Sequence, residues 1–385
     1  MQKSWSQFFD NQLENLRQQQ TLRTRGGTDQ LSSVTDKRLL DFSSNDYLGL
    51  RRNPLLLDSL FKATKRQGWG SGASPVLSGY HTEHQELESS LAHLSNTEDC
   101  LVFSSGFACN VGVISCLLDD ETLVLSDQLN HASLIDGMRI GKHGKLIYQH
   151  CDMRDLSNKL ELQRSAFGRC LIVTESVFSM DGDEAPLQEL VSISRRFDCG
   201  LIVDEAHAVG VFGERGGGLL EELQLSSEVL IKLGTLSKAL GGIGGYAAGS
   251  KKVVEYLISR CRSYLFSTAP PAGAMAASRI AVELCCQMSS EREHLLDLAK
   301  AARRQLRELG WQVASGRSPI IPIIVGSPEC ALELSNKLRV SGLLVPAIRP
   351  PTVPHDTCRL RVSLSARHSQ ADIERLCSIL GNCGR

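Results

Sequence analysis

Apolar residues in the first twenty positions return at helical spacing. Trp5, Phe8, Phe9, Leu13 and Leu16 fall on one side of a helix over residues 3–20. Gly26-Gly27 breaks that pattern, and the stretch 39–50 carries the polar, turn-prone run Ser43-Ser44-Asn45-Asp46. Thr82 followed three residues later by Gln85 has the form of a capping box and predicts a helix over 83–95. From about residue 100 short apolar runs alternate with longer amphipathic stretches. The runs lie at 100–103, 122–125, 145–148, 170–174, 201–203, 229–233 and 246–248, rich in Val, Ile and Leu with little alternation. Strands buried on both faces of a mostly parallel sheet read this way. Helical segments such as 186–197 fall between most of them, which predicts a doubly wound α/β core with helices on both faces. After Pro270-Pro271 come a helix-rich region over 271–309, strand candidates at 320–325, 343–345 and 359–364, and helices near 328–341 and 369–381. The expected organisation is an N-terminal helix and arm over 1–50, a large α/β domain over 51–275 and a smaller α+β domain over 276–385.

Composition narrows the class. Hydrophobic residues make up 42% and charged residues 22%, the balance of a globular enzyme with a sizeable core. The net charge of −1, with no basic stripe, argues against nucleic acid as a partner. Thirteen scattered cysteines include no C-x-x-C pair, which points away from a disulfide framework and towards a reducing compartment. His81 and His84 have no cysteine nearby, and no metal site is expected. The first residues lack the apolar core of a signal peptide, and no apolar run has the length of a membrane span. A cytoplasmic protein is expected.

Ligands of open α/β sheets sit where strands end at their carboxyl side. Three such ends carry candidate chemistry. After 101–103 come Ser104-Ser105-Gly106-Phe107-Ala108-Cys109-Asn110, small residues entering an apolar helix, whose free N–H groups suit a phosphate. A glycine easing a tight turn would look the same. After 201–203 comes Asp204-Glu205-Ala206-His207. An acid ending a buried strand needs a partner, either a salt bridge or a protonated heterocyclic nitrogen. After 229–233 come Gly234-Thr235-Leu236-Ser237-Lys238-Ala239-Leu240-Gly241-Gly242, where a lysine among small and apolar residues can be desolvated into a nucleophilic amine. A lone lysine of this kind is usually a solvated surface residue. A phosphate turn, Asp-x-x-His and Lys, each after its own strand and in that order, change those odds. A dinucleotide enzyme competes through Gly241-Gly242-Ile243-Gly244-Gly245, but that run leads into the strand candidate at 246–248 rather than opening a helix.

These segments resemble the α-oxoamine synthase family of fold-type I pyridoxal-phosphate enzymes. The resemblance runs along nearly the whole chain, through FSSNDYLGL (42–50), SGYHTEHQELE (78–88), SSGFACN (104–110), NHASLIDG (130–137), TESVFSMDGD (174–183), VDEAHAVGVFG (203–213), GTLSKALGG (234–242) and LFSTAPP (265–271). It implies that Lys238 holds pyridoxal 5′-phosphate as a Schiff base and moves the substrate's α-proton. It further implies that Asp204 pairs with the pyridine nitrogen, His207 lies on the phenolic-oxygen side and His131 stacks on the ring. Gly106 and Phe107 would offer N–H groups to the phosphate, with polar contacts from Ser179 and Thr235. Ser267 and Thr268 would reach the phosphate of a neighbouring subunit, so the active unit would be a homodimer. Arg361 would take the amino-acid carboxylate, and Arg23, Asn45 and Thr352 would line the acyl side, with Arg25 an alternative to Arg23. Taken singly, His131, Ser179 and Arg361 also suit a helix start, a turn cap and a half-exposed strand.

IRPPTVP (348–354) followed by RLRVSLSARH (359–368) resembles the branch of the family that condenses L-alanine with a pimeloyl thioester. Sister branches use glycine or other acyl donors. The donor thiol would be coenzyme A or an acyl carrier protein. A pyridoxal-phosphate-binding regulatory protein is the non-enzymatic alternative, against which Lys238, Asp204 and His207 together argue.

Overall fold

The computed structural model describes residues 3–23, 39–141 and 143–383. Its twelve strands in chain order are β1 Leu40–Asp41, β2 Asp99–Phe103, β3 Thr122–Asp127, β4 Gly144–Tyr148, β5 Arg169–Glu175, β6 Gly200–Asp204, β7 Ile231–Thr235, β8 Gly245–Gly249, β9 Ile320–Gly326, β10 Leu343–Leu344, β11 Ala347–Ile348 and β12 Cys358–Ser363. Seven of them form the central sheet in the order β2-β8-β7-β6-β5-β3-β4. Every pairing among β3 to β7 is parallel, and β8 alone runs antiparallel, to β2 on one side and β7 on the other.

The unbroken apolar runs have the expected cause. Neighbouring residues of β5, such as Leu171 and Ile172, enter different clusters on opposite faces of the sheet, and both are buried. Fully burying a side chain of that size contributes about 1.5–3 kcal/mol. A smaller antiparallel sheet, β11-β12-β9, lies in the C-terminal part, and β1 pairs in parallel with β10. Residues 40–41 therefore join the C-terminal part through backbone pairing, although they are far from it in the chain.

Local chemistry explains the boundaries that differ from expectation. The helix near 83 starts at Thr82 with His81 as its N-cap, one residue before the cap read from Thr82 and Gln85. Here the His81 N–H donates to His84 Nδ1 at 3.1 Å, so an imidazole does the work of the expected Gln85. The helix-rich region over 271–309 is two helices, Ala272–Gln287 and Ser289–Glu308, which meet at Met288. The first helix, Lys3–Gln18, buries none of its residues within this chain, and Trp5, Phe8 and Phe9 are exposed. All thirteen cysteines are free thiols. Among the described residues, no helix is long and apolar enough to cross a membrane.

Candidate active site

The carboxyl ends of β2, β3, β5, β6 and β7 lie along one edge of the sheet, and the segments that leave them carry most of the expected site residues. After β2, Ser105 caps the helix Gly106–Leu117, its side chain accepting from the Ala108 N–H at 3.1 Å. That cap leaves the Gly106 and Phe107 N–H groups at the positive end of a twelve-residue helix, directed past its first turn. The start of β8 presses against this turn, since a β-carbon on Gly245 would fall 2.5 Å from Gly106 Cα. Thr235 lies on the same spot: a β-carbon on Gly106 would be 3.4 Å from Thr235 Oγ1. Thr235 Oγ1 donates to the Gly244 carbonyl at 2.9 Å and so closes the base of the loop that carries Lys238.

Asp204 ends β6, only 5% exposed. The Ala206 N–H donates to its Oδ1 at 2.9 Å and Asn110 Nδ2 donates to its Oδ2 at 2.7 Å. Asn110 also donates to Ser133 Oγ at 2.9 Å, and Ser133 Oγ lies 2.7 Å from His131 Nδ1. The Ser133 N–H donates to the same ring nitrogen at 3.2 Å. A neutral His131 accepting there carries its proton on Nε2. Burial pushes His131 below its ordinary value and Lys238 pushes the same way, against the pull of Asp204. One chain of hydrogen bonds thus links the carboxylate to the imidazole expected to cover the cofactor ring.

Lys238 stands at the tip of the 235–244 loop, where the Gly241 N–H donates to its carbonyl at 2.9 Å. Desolvation pulls its amine down to about 8, against the opposing charge of Asp204. His207 is driven well below the usual imidazole value by burial, then by Lys238, Arg361 and His131. Its Nδ1 lies 2.7 Å from Tyr47 Oη, and that hydroxyl also donates to Asn45 Oδ1 at 3.3 Å. Arg361 reaches the same cluster from β12. Its Nε donates to the Ser179 carbonyl at 2.7 Å and its Nη1 to Asn45 Oδ1 at 3.1 Å. It is 4% exposed, and among the described residues no carboxylate pairs with it.

The remaining expected residues lie outside this cluster. Arg23 Nη2 donates to the Arg349 and Pro350 carbonyls at 3.0 and 3.2 Å, and the Thr352 N–H donates to the Arg349 carbonyl at 3.1 Å. Arg23 and Thr352 therefore meet at the 349–352 loop. Arg25 and the Gly26-Gly27 break lie outside the described residues. Ser267 and exposed Thr268 follow the short helix Arg262–Leu265, with no hydrogen bond to the cluster within this chain. Sequence reading missed Asn110, Ser133, Tyr47 and Glu175, although all four lie within the quoted motifs.

His150, flanked by Asp127 and Cys151, is the group nearest to a metal-ligand set among the described residues. Both of its ring nitrogens are taken, Nδ1 at 2.9 Å from Asp127 and Nε2 at 2.7 Å from Asp183. Burial opposes the charge on His150, but those two bonds prevail and carry it up to about 12. It is a cation clasped by two acids and has no lone pair to offer.

The site fits pyridoxal phosphate on its own features: two unclaimed N–H groups with a glycine cradle for a phosphate, a buried and oriented carboxylate for a ring nitrogen, and an amine that sheds its proton readily. Comparison with known proteins agrees. The family model described as aminotransferase class I and II matches residues 37–380. An 8-amino-7-oxononanoate synthase of Geobacter sulfurreducens is 42% identical over 380 residues, covering 97% of each chain. A serine palmitoyltransferase structure with pyridoxal phosphate superposes with a TM-score of 0.87 at 29% identity, covering 90% of this chain and 88% of the other. The structure of 8-amino-7-oxononanoate synthase from Francisella tularensis gives a TM-score of 0.79 at 28% identity, covering 89% and 97%.

Proposed function

Because the chain belongs to the class I and II aminotransferase family, and within it to the 8-amino-7-oxononanoate synthases, we propose that this site condenses L-alanine with a pimeloyl thioester. The products are 8-amino-7-oxononanoate, carbon dioxide and free thiol, a step of biotin synthesis. The observation that carries the reading is Arg361, a buried cation without an acidic partner among the described residues, in the same cluster as Lys238 and Asp204.

Pyridoxal phosphate, when bound, supplies an aldehyde that condenses with amines and a ring that takes up electrons from the substrate's α-carbon. Gly106 and Phe107 hold its phosphate by backbone N–H groups, with Ser179 and Thr235 adding polar contacts. Asp204, fixed by Asn110, would pair with the ring nitrogen and favour a proton there. His131 would cover one face of the bound ring, and neutral His207 would lie on its phenolic-oxygen side. Arg361 binds the L-alanine carboxylate and so orients the α-C–H bond. Lys238 Nζ would hold the cofactor and would take and return the substrate's α-proton, a role that suits an amine brought down to about 8. Asn45, Arg23 and Thr352 line the path of the acyl chain, whose thiol carrier is coenzyme A or an acyl carrier protein. Ser267 and Thr268, which make no hydrogen bond to the cluster of their own chain, serve the neighbouring subunit of a homodimer. The compartment is the cytoplasm, in keeping with thirteen free thiols.

The test is product identification by mass spectrometry after mixing the pyridoxal-phosphate-loaded protein, L-alanine and pimeloyl-CoA. Borohydride reduction and peptide mapping locate the tagged lysine. Turnover of glycine but not L-alanine would transfer the protein to a sister branch, and a tag away from Lys238 would end the reading.

A further inference from the structure

Glu175 has no part in the chemistry above. It ends β5, and its register partner on β6 is Asp204, so two carboxyl groups stand abreast on adjacent parallel strands. Both are buried, at 3% and 5% exposure. Their surroundings differ. Each oxygen of Asp204 receives a donor, from the Ala206 N–H and from Asn110 Nδ2. The His131 backbone N–H faces the Glu175 carboxyl, whose Oε1 is buried without a hydrogen-bond partner. A bare buried oxygen is tolerable on a neutral acid and costly on an anion. Two buried carboxylates side by side also repel, which forces one to keep its proton.

We propose that Glu175 is a positioning residue that stays a neutral carboxylic acid, anchoring the His131 backbone and leaving Asp204 as the anion that answers Lys238 and the ring nitrogen. The charged groups facing it are Asp204 from β6, Lys238 from the loop after β7 and Asp127 from the end of β3. Burial, reinforced by Asp204, pushes the Glu175 carboxyl well above the usual range, and Lys238 works in the opposite sense. A second anion here would hold Lys238 as an ammonium and hinder its service as a base. The inference rests on the cofactor-binding reading but not on the identity of the acyl donor.

The test compares the pyridoxal-phosphate-loaded enzyme with Glu175→Gln and Glu175→Met, after thermal melts have shown that each variant folds. The wild-type infrared spectrum is expected to contain a protonated carboxylic-acid C=O stretch that is missing from Glu175→Gln. In Glu175→Gln the pH midpoint of the visible absorbance of Lys238-linked cofactor should move by less than about 0.3 unit. Glu175→Met, which cannot accept the His131 N–H, should lose about tenfold more kcat than Glu175→Gln with little change in KM for L-alanine. The proposal is overturned if that infrared band is absent from wild type. It is equally overturned if Glu175→Gln lowers the midpoint by about one unit or more, as removal of a neighbouring anion would. Wild-type protein that stays colourless with pyridoxal phosphate would instead refute the cofactor reading beneath it.

Discussion

Replacing Asn110 by leucine isolates the hydrogen bond that orients Asp204. The substitution keeps the branching of the side chain and adds bulk at a position 4% exposed, so water gains little room to replace the lost donor. It removes the 2.7 Å bond to Asp204 Oδ2 and the 2.9 Å bond to Ser133 Oγ. A hydrogen bond to a buried charged group contributes about 1.5–3 kcal/mol. If that free energy serves to hold the carboxylate against the ring nitrogen, its loss appears in the step that depends on the pairing. Loss of the α-proton from L-alanine should then slow by roughly 10- to 150-fold. The assay is deuterium exchange at the α-carbon of L-alanine without acyl donor, followed by NMR, which separates this step from acyl transfer. A parallel Asn110→Asp variant sets a like charge beside Asp204 and should lose more. An Asn110→Leu enzyme that melts normally, binds pyridoxal phosphate and exchanges within about twofold of wild type would refute the reasoning.

Three further outcomes follow from the geometry. Arg361→Lys keeps the charge but cannot span the Ser179 carbonyl, Asn45 and a substrate carboxylate together; KM for L-alanine should rise about 10- to 100-fold in steady-state kinetics. Because desolvation brings the Lys238 amine down to about 8, loading of the cofactor-free protein should accelerate as pH rises towards 8 and level off above it, as stopped-flow absorbance would show. The same shift makes burial of the Lys238 ammonium a cost below pH 8 that is relieved between 8 and the ordinary lysine value. For His150 the sign is opposite: its pKa is raised, so its clasp on Asp127 and Asp183 stabilises fully below the ordinary histidine value and fades as pH climbs towards 12. His150→Ala should cost roughly 3 kcal/mol at pH 6, and the gap in Tm between wild type and variant should narrow steadily by pH 10.

The strands were legible because burial on both faces leaves an unbroken apolar signature, as in Leu171–Val173. The residues that leave strand ends were legible because small residues, an isolated acid and an isolated lysine are conspicuous beside such runs. Partners across the sheet were not. Asn110 reads as one polar residue inside an apolar helix, and only the fold shows that it faces Asp204, ninety-four positions away. Glu175 reads as the end of a strand until the β5–β6 register sets it beside Asp204. The His81 cap was missed for a different reason: an imidazole accepting the preceding N–H is not among the side chains that usually signal a helix start.

Burial alone accounts for much of the charge distribution in the site. The same desolvation that lowers Lys238 also keeps His131 and His207 neutral and favours a proton on Glu175. Asp204 collects a donor on each oxygen, and Arg361 donates to the Ser179 carbonyl and to Asn45. The cluster therefore sets a guanidinium and a carboxylate among groups that burial favours in their neutral forms. The cation faces an amino-acid carboxylate and the anion a ring nitrogen. Proton transfer between α-carbon and Lys238 then needs no rearrangement of the charges around it, which is the condition for a preorganised site.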